Sequence, residues 1–246
     1  MPVDFAAALP FILFAIATFL GAVVAGIAGF AFGVIAAGMW LHVLTPLQSA
    51  TLVVAFGFLI QGLAVWRLRQ ALALKRLWPF VLGGALGVPL GIELLRWLPV
   101  EPIRAGIGVF LILYSLYSLL RPKLASMAAA GPWADGGIGV AGGLLGGSTG
   151  FSAILPTIWV GLRGWTKDEQ RATFQPVAVA IHGLVLLWAG SVGAIDGATV
   201  QLFLIGLPAV ILGTWLGLRL YGRLDEAGFR KTVLGFLLVS GIALVV

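Results

Sequence analysis

Cysteine is absent from the 246 residues, which excludes a disulfide framework, thiolate metal sites and a cysteine nucleophile together. Histidine is almost absent. Only His42 and His182 occur, so neither a multi-histidine metal centre nor any other metal site is expected. Charge is scarce: Asp, Glu, Lys and Arg make up 10% of the chain, against about 25% in an average soluble domain. A chain that is also 61% hydrophobic, with a mean hydropathy of +1.10, cannot clothe itself in a hydrated surface, and its solvent is lipid. From Phe5 to Trp66 there is no charged residue at all. At about 1.5 Å per helical residue that stretch supplies two to three bilayer crossings of roughly 20 residues each. Buried carboxylates are missing too, which argues against an enzyme built on acid–base pairs and against a cation carrier.

The net charge of +6 is read as basic residues at the membrane surface and not as a nucleic-acid footprint. Met1-Pro2-Val3-Asp4 has no basic residue ahead of the apolar run, so the start of the chain is expected to be a first spanning helix and not a cleavable leader. Seven apolar segments have the length of full spans: 5–25, 49–66, 78–96, 103–120, 172–190, 199–218 and 230–246. Two Gly-rich stretches, 26–44 and 136–161, fit less well. If both enter and leave on one side as re-entrant hairpins, thirteen of the fifteen Lys and Arg fall on the cytoplasmic side, leaving Arg96 and Arg104 outside. This arrangement puts the N-terminus in the cytoplasm and the C-terminus outside, with seven spans; eight remain open if one Gly-rich stretch crosses as a bent helix.

The two halves repeat. GIAGFAFG at Gly26–Gly33 and GLLGGSTG at Gly143–Gly150 share their glycine spacing. Gln48-Ser49-Ala50-Thr51 is followed later by Gln170-Arg171-Ala172-Thr173, Gln61-Gly62-Leu63 by His182-Gly183-Leu184, and GVPLG at Gly87–Gly91 by GTWLG at Gly213–Gly217. Each copy is a Gly-rich hairpin plus three spans, and an odd number of crossings inverts the second copy. The expected fold is an all-α polytopic membrane protein of two inverted repeats with one extra N-terminal helix. Residues 1–122 hold that helix and the first repeat, 123–135 a cytoplasmic linker, and 136–246 the second repeat. Inverted repeats recur in secondary transporters because mirrored halves can open alternately to either side.

Irregular backbone at membrane depth must line a cavity or lie inside protein. The Gly-rich breaks are therefore where a substrate would bind, at Gly29, Phe30 and Gly33 in the first and at Gly146, Ser148, Thr149, Gly150 and Ser152 in the second. A half-helix starting there would present free N–H groups and partial positive charge to an anion. The same serines and threonine can instead bond their own helix carbonyls, and the scattered Gly83, Gly87 and Gly91 read as packing residues. Gln48, Thr51, Gln61 and Gln175 add amides and a hydroxyl. His182 is the one ionisable group deep in a span, a candidate for substrate binding or proton coupling, with a neutral hydrogen-bonded histidine as the plainer alternative. Trp40, Trp78, Trp97, Trp133 and Trp159 are expected in the interfacial belts, as are Trp66 and Trp188, and Glu93 is expected to pair with Arg96.

With GIAGFAFG, the following Pro46-Leu47-Gln48-Ser49-Ala50-Thr51, and GGLLGGSTGFSAILP with Ala172-Thr173 downstream, the chain resembles the sulfite exporter TauE/SafE family of membrane transporters. The resemblance covers most of the chain. It implies seven or eight spans in a bacterial inner membrane and a small, often sulfur-containing anion as cargo, and it carries Gly29, Gly33, Gly146, Gly150 and Pro156 as motif positions. The expected function is secondary transport of such an anion, sulfite or an organosulfonate, by alternating access. A passive anion channel and a membrane scaffold without transport are the competing readings. No cofactor is expected. The expected partners are the small anion, the bilayer and coupled protons, with a homodimer left open and nucleic acid excluded.

Overall fold

The computed structural model describes residues 5–40, 42–94, 100–120, 127–191, 193 and 195–245. Among them there is no strand, only helices. The chain runs through α1 (Phe5–Ala28), a short α2 (Phe32–Trp40), α3 (Pro46–Arg67), α4 (Leu74–Leu94) and α5 (Val100–Leu120). It continues through α6 (Pro132–Thr149), a short α7 (Ile154–Leu162), α8 (Lys167–Ser191), α9 (Gly197–Tyr221) and α10 (Glu226–Val245). Six of these, α1, α3, α4, α8, α9 and α10, are long and apolar enough to cross a membrane, and α5 carries a shorter apolar stretch, Ala105–Leu120. The helices α3, α4, α5, α8, α9 and α10 cover the six later apolar segments read from the sequence. The sequence order in each half is a long helix, a break, a nine-residue helix and three long helices.

Local chemistry starts several of them. Thr45 and Gln48 form a capping box at α3, with Pro46 behind it, and the Asp196 carboxylate accepts the Thr199 N–H at 2.7 Å at the start of α9.

The helices meet backbone to backbone through glycine. A Cβ placed on Gly83, Gly87 or Gly91 of α4 would lie 2.1–2.2 Å from a carbonyl oxygen of α6, and one on Gly139 or Gly143 of α6 would strike Phe80 or Gly84 of α4. The α1–α9 seam is of the same kind. Gly26 faces Gly217, and a Cβ on Gly213 would lie 2.6 Å from the Phe19 oxygen. Without an apolar driving force between helices in lipid, close approach of this sort supplies the dispersion contact that holds them. Packing is thus the role of Gly83, Gly87, Gly91 and Gly143.

Each short helix folds back on the long helix before it. Met127 N donates to Leu162 O at 2.9 Å, Trp159 Nε1 donates to Asp135 Oδ1 at 2.7 Å, and Gly142 packs on Pro156, so α6 and α7 are antiparallel arms that start and finish on one face. In the first half, Trp40 stacks on Phe14 with centroids 5.2 Å apart, and Phe32 lies on Gly21, so α1 and α2 are antiparallel arms as well. The hairpin expected over 26–44 is corrected in its bounds: α2 folds back on α1, which is itself long and apolar enough to cross a membrane. The long α1 is thus the outer arm on which α2 packs.

One face collects the basic loops. Arg76 pairs with Glu169 at 2.8 Å, Glu226 accepts the Lys167 N–H at 2.8 Å, and the Tyr221 hydroxyl donates to Asp168. These contacts bring together the starts of α4, α8 and α10 and the end of α9. The α1–α9 seam runs parallel, Phe14 lying by Gly206, Ala22 by Gly213 and Gly26 by Gly217. Because α9 ends on the basic face, α1 starts on the opposite one. The expectation that the first helix leaves from the basic side is corrected accordingly.

The aromatic belt is partly as expected. Trp66, Trp78, Trp133 and Trp188 are exposed, but Trp40 is fully buried between Phe14, Phe32 and Phe56, and Trp159 is half-buried against Asp135. A tryptophan at a helix end can close a core as readily as it marks an interface. Trp97 and the Glu93–Arg96 pairing lie outside the described residues.

Candidate functional site

Both breaks are built the same way. Gly29 ends α1 with φ +87° and its N–H on Ala25 O at 2.7 Å. Gly150 ends α6 with φ +79° and its N–H on Gly146 O at 3.0 Å. A left-handed residue whose N–H reaches back four carbonyls is a helix stop that glycine adopts without the Cβ penalty. Ala31 follows in the first break at φ 71°, a strained position for a residue with a side chain. Spacing alone pairs Gly29 with Gly146, whereas the geometry pairs it with Gly150, one helical turn further on. Glycines recur every turn on these faces, so their spacing does not fix the register.

Each break carbonyl is approached by a polar side chain from the next long helix. Gln61 Nε2 of α3 donates to Gly29 O at 2.8 Å. His182 Nε2 of α8 lies 3.4 Å from Gly150 O and 3.0 Å from Ser152 Oγ. The two breaks share one cavity of about 40 Å³, lined among others by Phe30, Phe32, Gln61, Phe151, Ser152 and His182. That is room for about three or four water molecules at roughly 10–15 Å³ each.

Several buried polar atoms around it have no partner: Gln61 Oε1, His182 Nδ1, and both amide atoms of Gln175, whose Nε2 lies against Gly29. Buried polar atoms are nearly always paired, and unpaired ones gathered about a hollow fit a polar guest. The helices α2 and α7 both begin at this hollow, and their first-turn N–H groups have no intrahelical partner. Pro156 removes one of those donors from α7. Among the described residues no carboxylate lines the cavity.

The remaining sequence-picked residues separate. Gly33 lines the cavity, packed on Val53 and Phe151. Gly146 packs on Ile181 and Ser152 beside it. Ser148 bonds Leu144 O at 2.8 Å, its own helix, and is a packing residue. Gln48 belongs to the α3 cap and does not line the cavity, and Thr51 is buried on α3 outside the lining. The Thr149 side chain lies outside the described residues. Among the described residues no cluster of three His, Asp or Glu side chains could hold a metal.

The model of the sulfite exporter TauE/SafE family matches residues 13–244, nearly the whole chain. The chain belongs to the TauE/SafE family. No curated protein and no solved structure matches it. Membership in TauE/SafE, together with the long apolar helices, makes it a multi-pass membrane transporter.

One residue near the TauE/SafE chain's first break escapes a sequence reading. Arg171, grouped by sequence with loop charges, is fully buried in α8. Its Nη1 donates to Gly26 O at 2.9 Å and Ile27 O at 3.2 Å, the open carbonyls at the end of α1. Its guanidinium also stacks 4.1 Å over the Tyr221 ring. The signal available was its repeat partner: Ser49, a small residue, stands where Arg171 stands.

Proposed function

We propose that the chain moves a small anion, sulfite or an organosulfonate, across the cytoplasmic membrane by alternating access. The observation that carries this reading is the meeting of two broken-helix tips at one small hollow ringed by unpaired polar atoms. Free N–H groups of α2 and α7, the Ser152 hydroxyl, and the side chains of Gln61 and His182 would take the oxygens of the anion. Phe30 and Phe151 would wall it from lipid and water.

In this reading the halves α1–α5 and α6–α10 are inverted repeats. It is supported by their common order of elements and by the reciprocal seams, α1 on α9 and α6 on α4. Six helices, α3, α4, α5, α8, α9 and α10, cross fully, and the hairpins α1–α2 and α6–α7 dip in from opposite faces. The basic face is cytoplasmic. The start of α1 and the end of α10 then both lie outside.

A hollow of only about 40 Å³ is not a continuous pore, which favours a carrier over a channel. Movement of the short arms α2 and α7 against the long helices would expose the hollow to one side at a time. His182 would carry a coupled proton on its unpaired Nδ1.

The test is sulfite flux in proteoliposomes. Saturable uptake and counterflow are expected, with His182→Ala abolishing the pH dependence of the rate. Flux linear in concentration without counterflow would make the protein a channel, and no flux of any anion would make it a scaffold.

A further inference from the structure

A second hollow, of about 310 Å³, opens on the basic face between α5, α7, α8 and α10. Its inner wall is apolar, with Ile158 of α7 and Leu234 and Leu237 of α10. Its mouth holds Arg230, whose Nη2 donates to Ser118 O at 2.9 Å, leaving other guanidinium N–H groups for a guest. Among the described residues the ion pairs of this face engage Arg76 with Glu169 and Arg163 with Asp135, but not Arg230. Glu226, also in the lining, turns its Oε2 to the Lys167 N–H at 2.8 Å and is the one carboxylate among the described lining residues. Trp165, also in the wall, has the Arg76 and Arg163 guanidinium carbons 4.8 and 5.2 Å from its ring centre. Deeper in, Thr157 is 2% exposed and its hydroxyl has no hydrogen-bond partner.

We infer that this pocket is a second anion station, and that it takes an anion with a short hydrocarbon body in preference to bare sulfite. The charged head sits on Arg230, with the Thr157 hydroxyl as a further donor, and the body lies on Ile158, Leu234 and Leu237. Sulfite has no apolar surface to lay on that wall, and holding a compact charge against it costs desolvation that nothing repays. A hydrocarbon body gains from the same wall. The volume encloses a few carbons and not the two acyl chains of a lipid, so the occupant is a free anion.

The station lies on the same route as the central cavity. Ile158 is one turn along α7 from Ile154, which lines that cavity, and both pack with Phe30, Leu234 and Leu237 in one apolar cluster. One apolar layer separates the two hollows. This placement rests on the transport reading above; the binding chemistry does not.

Calorimetric titration of the purified protein in lipid-free detergent, with butanesulfonate and with sulfite as probes, tests the inference. Butanesulfonate is expected to bind at least about tenfold more tightly than sulfite. Arg230→Gln should weaken it about tenfold or more, the worth of a charge-assisted hydrogen bond. Arg230→Lys should recover part of the loss, and Thr157→Val should weaken binding by a smaller factor. If Arg230→Gln does not fold, the Lys and Thr157 variants carry the test. Equal affinity for the two probes, or binding that survives Arg230→Gln and is lost in His182→Ala, overturns the station. Vesicle flux separates the two readings. Sulfite transport without butanesulfonate binding removes the station alone, and Arg230-dependent binding without flux of any anion removes transport alone.

Discussion

The two break glycines share a backbone conformation but not their surroundings, and that difference predicts a difference in cost. At Gly150 the nearest atoms to an added Cβ are Val53 and Val54 methyls at 3.8 Å, ordinary contact. Gly150→Ala therefore carries only the left-handed strain, about 1–2 kcal/mol, less about 0.4–1 kcal/mol regained from a stiffer unfolded chain. At Gly29 the same Cβ would sit 2.6 Å from two ring carbons of the fully buried Phe174. Moving that ring adds an overpacking cost of about 1–3 kcal/mol. Gly29→Ala should then cost about 1–3 kcal/mol more than the roughly 0–1.6 kcal/mol of Gly150→Ala, an extra drop in unfolding midpoint of roughly 2–12 °C. Thermal unfolding in detergent reads both. The double variant Gly29→Ala/Phe174→Leu isolates the ring, and its cycle should show at least about 1 kcal/mol of favourable coupling. Equal losses at the two glycines, or zero coupling with Phe174, would refute the geometry of the first break.

Three further outcomes follow from other parts of the molecule. Gly87→Ala places a Cβ 2.1 Å from Val140 O, a backbone atom that can yield only if α4 and α6 separate, and should cost at least about 2 kcal/mol, whereas Gly62→Ala, with nothing within 4 Å, should be neutral or stabilising by the same unfolding assay. Arg171→Met strips two carbonyls at the end of α1 and should cost about 3 kcal/mol; Arg171→Lys should recover less than half, since an ammonium cannot reproduce the planar fork, and full recovery would show that charge alone suffices. The hydrogen bonds from Thr199 hold the Asp196 carboxyl below its usual range, so its contribution to stability is present above the unfolded carboxylate range and is lost as pH falls through the depressed folded value; Asp196→Asn should leave the neutral-pH midpoint almost unchanged and flatten the acid limb, read from midpoints between pH 3 and 7.

How much of this was legible in the sequence depended on which physical signal was strong. Apolar length marked α3, α4, α5, α8, α9 and α10, because crossing a bilayer demands it. Internal repetition marked Gln61 and His182 as counterparts, and both contact the carbonyl of a break glycine. Glycine was ambiguous, since one residue type serves both close packing and left-handed turns. Gly143 proved to be a packing residue and Gly150 a turn, and only the backbone distinguishes them. Charge misled at Arg171, because a cation near a helix start reads as a surface residue, while this one is held inside by the carbonyls of a helix 144 and 145 positions away. The apolar residues Phe151 and Val53 that wall the cavity carried no signal, being indistinguishable in sequence from lipid-facing neighbours.

The same glycine seams that assemble the protein also constrain how it can move. The outer arms α1 and α6 are locked backbone to backbone onto α9 and α4, and side chains cannot slide there without forcing carbonyls together. The inner arms α2 and α7 are only nine residues long and are held mainly by side-chain packing, Phe32 on Phe56 and Gly33 on Val53 in one, Ile154 and Ile158 in the apolar cluster in the other. Side-chain contacts can exchange partners at lower cost than a backbone seam can open. If the roughly 40 Å³ hollow enlarges for an anion, the motion therefore belongs to α2 and α7, pivoting at Gly29 and Gly150, while each outer arm stays with its partner. Crosslinks then sort the mechanism: a bond from α1 to α9 should leave sulfite flux intact, and one from α2 to α3 should stop it. Flux that stops with the α1–α9 bond would place the moving boundary at the seam instead.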